Sequence, residues 1–404
     1  MSAVERALGE RSRDDYRLRH GRGRAAGSVS APAVIVSGMI AATPRQGGAT
    51  WAVLQYLIGL RRLGFAVCFV EPITGSDAPS ADSVRYGEQV LERFGLAGHW
   101  ALVPDSGGEP VGMTRAELRA VAGRTELLLN VAGMLTDPDI LGPIPVRAYL
   151  DLDPAFTQLW HASDGVDMRL DAHTHFVTVA DGIGRPGSPI PTCDREWLPT
   201  LPPVVLDEWP VAEGPAAHGY TTVGHWRSYG SIHHDGVHYG QKVHSLRPLI
   251  DLPRRTDASL ELALAIHPDE AADLVALEEN GWALLDPAEV ASTPEDYRRF
   301  VQGSRAEFGL AKSGYVVSRS GWFSDRSACY LASGRPVIAQ DTGFARRLPT
   351  GAGLMSFSTA DDVVAAIEEV EGDYERHRAA AREVAAEFLD SDRVLGALVE
   401  RLRA

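Results

Sequence analysis

The segment Ser320-Gly321-Trp322-Phe323-Ser324-Asp325-Arg326 joins a glycine turn to two helix-capping side chains. A turn of this kind presents backbone N–H groups at a helix N-terminus, which favours an anion such as a phosphate. Asp325 competes with such an anion and has capping as its ordinary role, while Arg326 offsets its charge. A second group, Arg227 and Lys242, follows the predicted strand Tyr220-Thr221-Thr222-Val223-Gly224. Fixed cations there suit negative charge gathering on a leaving phosphate, with ordinary surface charge as the competing reading. The third group is Asp151-Leu152-Asp153, at the end of another predicted strand. Either carboxylate there suits the removal of a hydroxyl proton; the competing role is a turn stabilised before Pro154. His173 and His175 are alternatives.

These residues need elements to hold them. Ala33-Val34-Ile35-Val36-Ser37 reads as a strand, residues 49 to 62 as a helix, and Ala66-Val67-Cys68-Phe69-Val70 as the next strand. Gly38 to Gly48 is the loop between them, so the unit is βαβ and the sheet parallel. Residues 82 to 95 predict a helix; Leu127–Asn130, Val146–Leu150 and His175–Val179 predict further strands. In a doubly wound sheet Asn130, Asp151, Asp153 and Asp181 then reach the crevice beyond the strand ends. Gly182 to Gly214 is rich in Pro and Gly, and predicts a linker around residues 200 to 216.

A second α/β pattern comes after the linker. Lys242 starts a helix, Leu260–Ile266 is a strand, and Leu274 and Leu277 lie on a helix. Tyr297, Phe300 and Val301, and then Phe308 to Leu310, are expected on helical segments. Tyr315-Val316-Val317 is expected as a buried strand, Ala328, Leu331 and Ala332 as the inner face of a helix, and Val337-Ile338-Ala339 as a strand. Residues 360 to 404 are helical in composition, with a break near Asp390-Ser391-Asp392.

The chain has 404 residues, 45% hydrophobic and 23% charged, enough for two cores. A net charge of -15 argues against nucleic acid as a partner. Cys68, Cys193 and Cys329 lie far apart, without metal-ligand spacing, and suit a reducing compartment. No apolar run has the length of a membrane span, and residues 5 to 24 mix Arg with Glu and Asp rather than forming a signal core. The expectation is a cytoplasmic protein without stable membrane insertion, with a disordered leader over residues 1 to 30. His233, His234, His238 and His244 are spaced by glycines and read as a polar loop, not a metal site.

Two Rossmann-like halves with a helical C-terminal tail resemble the GT-B glycosyltransferases. Three motifs carry the likeness. Gly47-Gly48 resembles the glycine loop at the edge of the GT-B cleft and joins the implied donor-binding set. Val223-Gly224-His225-Trp226-Arg227 with Lys242 resembles the strand, basic turn and lysine that hold a donor diphosphate. Gly321-Trp322-Phe323-Ser324 with Ser333-Gly334-Arg335-Pro336-Val337 resembles the donor motif of the superfamily. The sequence departs from that pattern where many members carry a ribose-binding Glu: Ser327, Ala328 and Cys329 stand there.

The resemblance implies an α/β fold of two Rossmann-like domains facing across a cleft. The implied division is an acceptor-side domain at 31–205, a nucleotide-sugar domain at 206–385, and a helix at 386–404 returning to the first domain. It implies transfer of a sugar, a hexose in the first instance, from a UDP-sugar to a hydroxyl of a small-molecule acceptor such as a natural product or nucleoside. No cofactor and no metal are required, and the D-x-D spacing is discounted as a metal motif. Asp151 and Asp153 are the implied catalytic pair. The implied donor set is Gly47, Gly48, Trp226, Arg227, Lys242, Ser320, Gly321, Trp322, Phe323, Ser324 and Arg326, with Asp341 and Thr342 on sugar hydroxyls. Trp226 and Trp322 offer faces for a base or sugar, or fill the core. A sugar-nucleotide epimerase of the same fold and a catalytically silent binding protein are the alternatives.

Overall fold

Continuous apolar runs give strands that are buried on both faces. Ala33–Ser37 (β1) is buried at every position and pairs in parallel with Ala66–Ile73 (β2) and Thr125–Val131 (β5). Trp100–Pro104 (β3), Val111–Gly112 (β4), Val146–Asp151 (β6), His175–Thr178 (β7) and Trp197–Pro199 (β8) complete an eight-stranded sheet, ordered β4-β3-β2-β1-β5-β6-β7-β8. Among the described residues only β4 runs antiparallel in this sheet, at its edge. The computed structural model describes residues 31–73, 79–105 and 107–404; the expected leader at 1–30 lies outside the described residues.

The second sheet is six-stranded and wholly parallel, ordered β13-β12-β9-β14-β15-β16. Its strands are His218–His225 (β9), Leu260–Ala265 (β12), Ala283–Leu284 (β13), Ser304–Gly309 (β14), Val337–Gln340 (β15) and Leu354–Phe357 (β16). Ile232–His234 (β10) and Val237–Tyr239 (β11) form a separate hairpin, where a polar loop was expected. The strand order reverses between β9 and β14, and a doubly wound sheet opens its ligand crevice at such a point. The boundary expected at residues 205 and 206 falls between β8 and β9.

The helices include Gly47–Arg62 (α1), Phe156–Ala162 (α2), Lys242–Leu246 (α3), Pro294–Gly303 (α4), Ser313–Val317 (α5), Asp325–Ala332 (α6), Tyr374–Val384 (α7) and Ser391–Arg403 (α8). α1 is packed on several sides. A Cβ on Gly59 would stand 2.5 Å from Leu395 of α8, and the Trp51 indole donates to the Pro294 carbonyl at 2.8 Å. A π-helical stretch, Ala385–Leu389, precedes α8, and Asp390 caps it as the expected break.

Two further expectations fail. Tyr315-Val316-Val317 belongs to α5, and Phe308 lies in β14 with Leu310 just beyond it. The strand of this region is one segment earlier because Glu307 interrupts its apolar pattern. That carboxylate is fully buried, with Arg326 Nε at 2.5 Å. Of the apolar run there, Tyr315 is buried by packing against Phe156 and Trp322, while Val317 is 48% exposed.

Candidate active site

The carboxyl end of β9 sets the first part of the site. Gly224 has φ of +153°, and a Cβ there would stand 3.0 Å from Lys242 Nζ. Lys242 opens α3 and is half-buried; no hydrogen bond or ion pair involves its ammonium among the described residues. Burial, then Arg326 and Lys312, push its pKa down to about 7. Asp325 and Glu307 pull the other way, but neither is bonded to the ammonium, whose donors stay open to an incoming anion.

The turn before α6 sets the second part. Gly321 has φ of +81°, which glycine adopts without strain, and its N–H donates to Thr342 O at 2.7 Å. The Thr342 hydroxyl donates to Trp322 O at 2.5 Å, so the Asp341–Gly343 turn fastens this one. Ser324 is the N-cap of α6, accepting from Arg326 N at 3.2 Å. Among the described residues, the N–H groups of Phe323 and Ser324 have no protein acceptor. A small crevice beside them is lined by Gly309, Ala311, Trp322, Ser324, Gln340 and Phe344.

Arg326 is at the site but fully engaged. It pairs with Glu307 and donates to the carbonyls of Val223 at 3.1 Å and Leu310 at 3.3 Å. It therefore ties the ends of β9 and β14 together. Arg227 points elsewhere and pairs with Glu270. Trp226 is 1% exposed, and its indole donates to Asp273 at 3.0 Å, so it is core rather than a stacking face. Gly47 is buried and Gly48 partly so. The Gly47 N–H donates to Ala291 O at 2.9 Å, and a Cβ on Gly48 would lie 2.8 Å from Tyr297. That pair permits close packing of α1 on the 291–297 segment. Ser320 and Phe323 are buried, Trp322 stacks on Tyr315 at 4.5 Å, and Asp341 accepts from Gly343 N at 2.7 Å.

The two aspartates separate sharply. Asp151 is fully buried and accepts from Thr157, Gln158, Thr178 and the Asp153 N–H. Burial pushes its carboxyl up, and the Gln158, Thr157 and Thr178 hydrogen bonds pull back. It shapes the loop into α2, where Ala155 takes φ of +73°. Asp153 projects from that loop to three donors outside the first sheet: Lys312, Tyr229 and Tyr315. Burial and Asp153 push both phenols well up, so they stay protonated and donate. Trp160 packs on Tyr229 at 4.6 Å, which puts aromatic surfaces around this carboxylate. His173 is buried and bonded to Asn130 at 3.0 Å, away from this cluster. Lys312, Tyr229 and Tyr315 were missed in the sequence. Reading β14 in its true place would have put Lys312 just past a strand end.

Among the described residues no group of His, Cys, Asp or Glu is arranged to hold a metal ion, and no helix is long and apolar enough to cross a membrane.

No protein-family model and no curated protein matches the chain. Solved structures do. A glycosyltransferase from Rickettsia africae superposes with a TM-score of 0.53 at 10% identity, covering 93% of this chain and 98% of its own. Anabaena HepE in complex with UDP-glucose gives 0.56 at 12%, covering 92% and 99%. An alpha-glucosyltransferase in complex with UDP and a 13-mer DNA gives 0.56 at 11%, covering 93% and 100%. The fold is that of the GT-B glycosyltransferases. The last of these overturns the expectation that net charge excludes nucleic acid: proteins of this fold are seen with DNA. Net charge averages over the whole surface and does not decide what one local site binds.

Proposed function

We propose that this GT-B-fold chain transfers a sugar from a UDP-sugar to a hydroxyl of a small-molecule acceptor. The observation that carries the proposal is the unpartnered Lys242 ammonium at the end of β9, at the point where the second sheet reverses its strand order. The neighbours solved with UDP or UDP-glucose support the choice of donor.

In this reading Lys242 and the N–H groups of Phe323 and Ser324 hold the diphosphate. The acceptor oxygen forms a bond to the sugar carbon as the bond from that carbon to phosphate breaks. The bonding pair leaves on the UDP phosphate, where Lys242 meets the growing charge. The hydroxyl proton passes to Asp153. Arg326 acts by holding the strand ends and adding positive field. Asp151 fixes the loop that carries Asp153. The rings of Trp160, Tyr229 and Trp322 favour an acceptor with a flat or cyclic face.

The test is UDP release from UDP-glucose by the purified chain, with and without a panel of hydroxylated acceptors. Release that depends on Lys242 supports the reading. Tight binding of UDP-sugars with no turnover of any of them would instead indicate a silent binding protein.

A further inference from the structure

Lys312 ties Asp153 to the second sheet. Its ammonium lies 3.0 and 3.1 Å from the two Asp153 oxygens and 4.0 Å from the centre of the Tyr229 ring. Asp153 comes from the loop after β6, and Lys312 from the end of β14, so this pair links the carboxyl ends of the two sheets. The Lys312 side chain is only 12% exposed and Asp153 28%. The charge of Lys312 is also felt at the proposed donor site: it helps push Lys242 down, after burial and Arg326, and His225 down, after burial and Lys242.

We propose that Lys312 exchanges partners during the reaction, leaving Asp153 for the donor diphosphate and so freeing the carboxylate to take the acceptor hydroxyl proton. The proposal rests on the donor site assigned above. A nucleoside diphosphate brings at least two negative charges against the single charge of Asp153, and the four-carbon lysine stem permits the swing. Asp153 does not become stranded when Lys312 leaves. Tyr229 donates to Oδ2 and Tyr315 to Oδ1, so each oxygen keeps one phenol. What Lys312 gives up is the ion pair that blocks the carboxylate, its hydrogen bond to the Tyr229 hydroxyl and its place over the Tyr229 ring. Donor and acceptor chemistry are coupled in this way: the proton acceptor is uncovered when the leaving group is in place.

The exchange makes a signed prediction about UDP alone. In the full chain UDP must draw Lys312 off Asp153, so Asp153→Asn releases the lysine in advance. Calorimetric titration with UDP should then show affinity rising about three- to tenfold in Asp153→Asn and falling about tenfold in Lys312→Gln. In the Lys312→Gln background, Asp153→Asn should change nothing. Unchanged or weaker UDP binding in Asp153→Asn, beside a wild type that binds UDP in a Lys242-dependent way, overturns the exchange and leaves the donor site standing. A wild type that takes up no UDP overturns the donor site and the exchange with it. Melting curves confirm that each variant is folded. Lys312→Gln reads the same cycle from the other side: unchanged affinity there also overturns the exchange.

Discussion

Lys242 Nζ lies 3.0 Å from the point where a Cβ would stand on Gly224. The glycine thus leaves room for the lysine beside the end of β9, and its φ of +153° disfavours a side chain on conformational grounds as well. Gly224→Ala is expected to displace the ammonium, weakening UDP binding about tenfold, and to destabilise the fold by about 1–3 kcal/mol. Calorimetry and chemical denaturation measure the two effects separately.

The lowered pKa of Lys242 gives a pH dependence of definite sign. Folding brings it from an ordinary 10.5 to about 7. Between those values the unfolded chain binds the proton that the folded chain has lost, so this group's contribution to stability rises with pH across the window. Below about 7 both states are protonated and the full penalty of the buried charge remains. Lys242→Met should therefore raise the melting temperature most at pH 6, with the gain fading towards pH 10. UDP affinity in the wild type should fall as pH rises above about 7, because the ammonium must be restored to meet the anion. Lys242→Arg should remove that fall.

Asp151 and Asp153 are two residues apart and should fail differently. Asp151→Ala leaves the donors of Thr157, Gln158 and Thr178 without their acceptor and should destabilise the protein by about 2–5 kcal/mol. Asp153→Asn should keep the melting temperature within a few degrees and reduce sugar transfer by about 100-fold or more. Paired melting and turnover measurements distinguish the two roles.

The buried Glu307–Arg326 pair fixes the strand ends around the site. Glu307→Gln leaves the guanidinium without its counter-charge and should destabilise by about 3–5 kcal/mol, as expected for one partner lost from a buried pair. Thermal and denaturant unfolding check this. A loss of UDP binding without loss of stability would show instead that the pair acts on the ligand directly.

Much of the fold was legible because the apolar strands carry it. β1, β2, β5 and β6, the capped helix α6 and the strand at Val337 emerge from local pattern alone. The region of β14 was not legible, because Glu307 is stabilised inside a strand by Arg326, 19 residues on, which local pattern does not show. Of the site, Lys242 opens α3 and the Gly321 turn precedes α6, the local positions that the sequence pattern predicts. Arg227 and Trp226 do not reach it, since Glu270 and Asp273 take their donors. The partners of Asp153 lie 76 to 162 residues away, and no spacing in the sequence announces them.

The proposed function stands or falls on a donor diphosphate seated between Lys242 and the start of α6. A crystal structure of the chain with UDP-glucose tests this most directly. Diphosphate oxygens are expected within hydrogen-bonding distance of Lys242 Nζ and of the Phe323 or Ser324 N–H. A nucleotide whose diphosphate lies away from both, in a protein of unchanged fold, would contradict it.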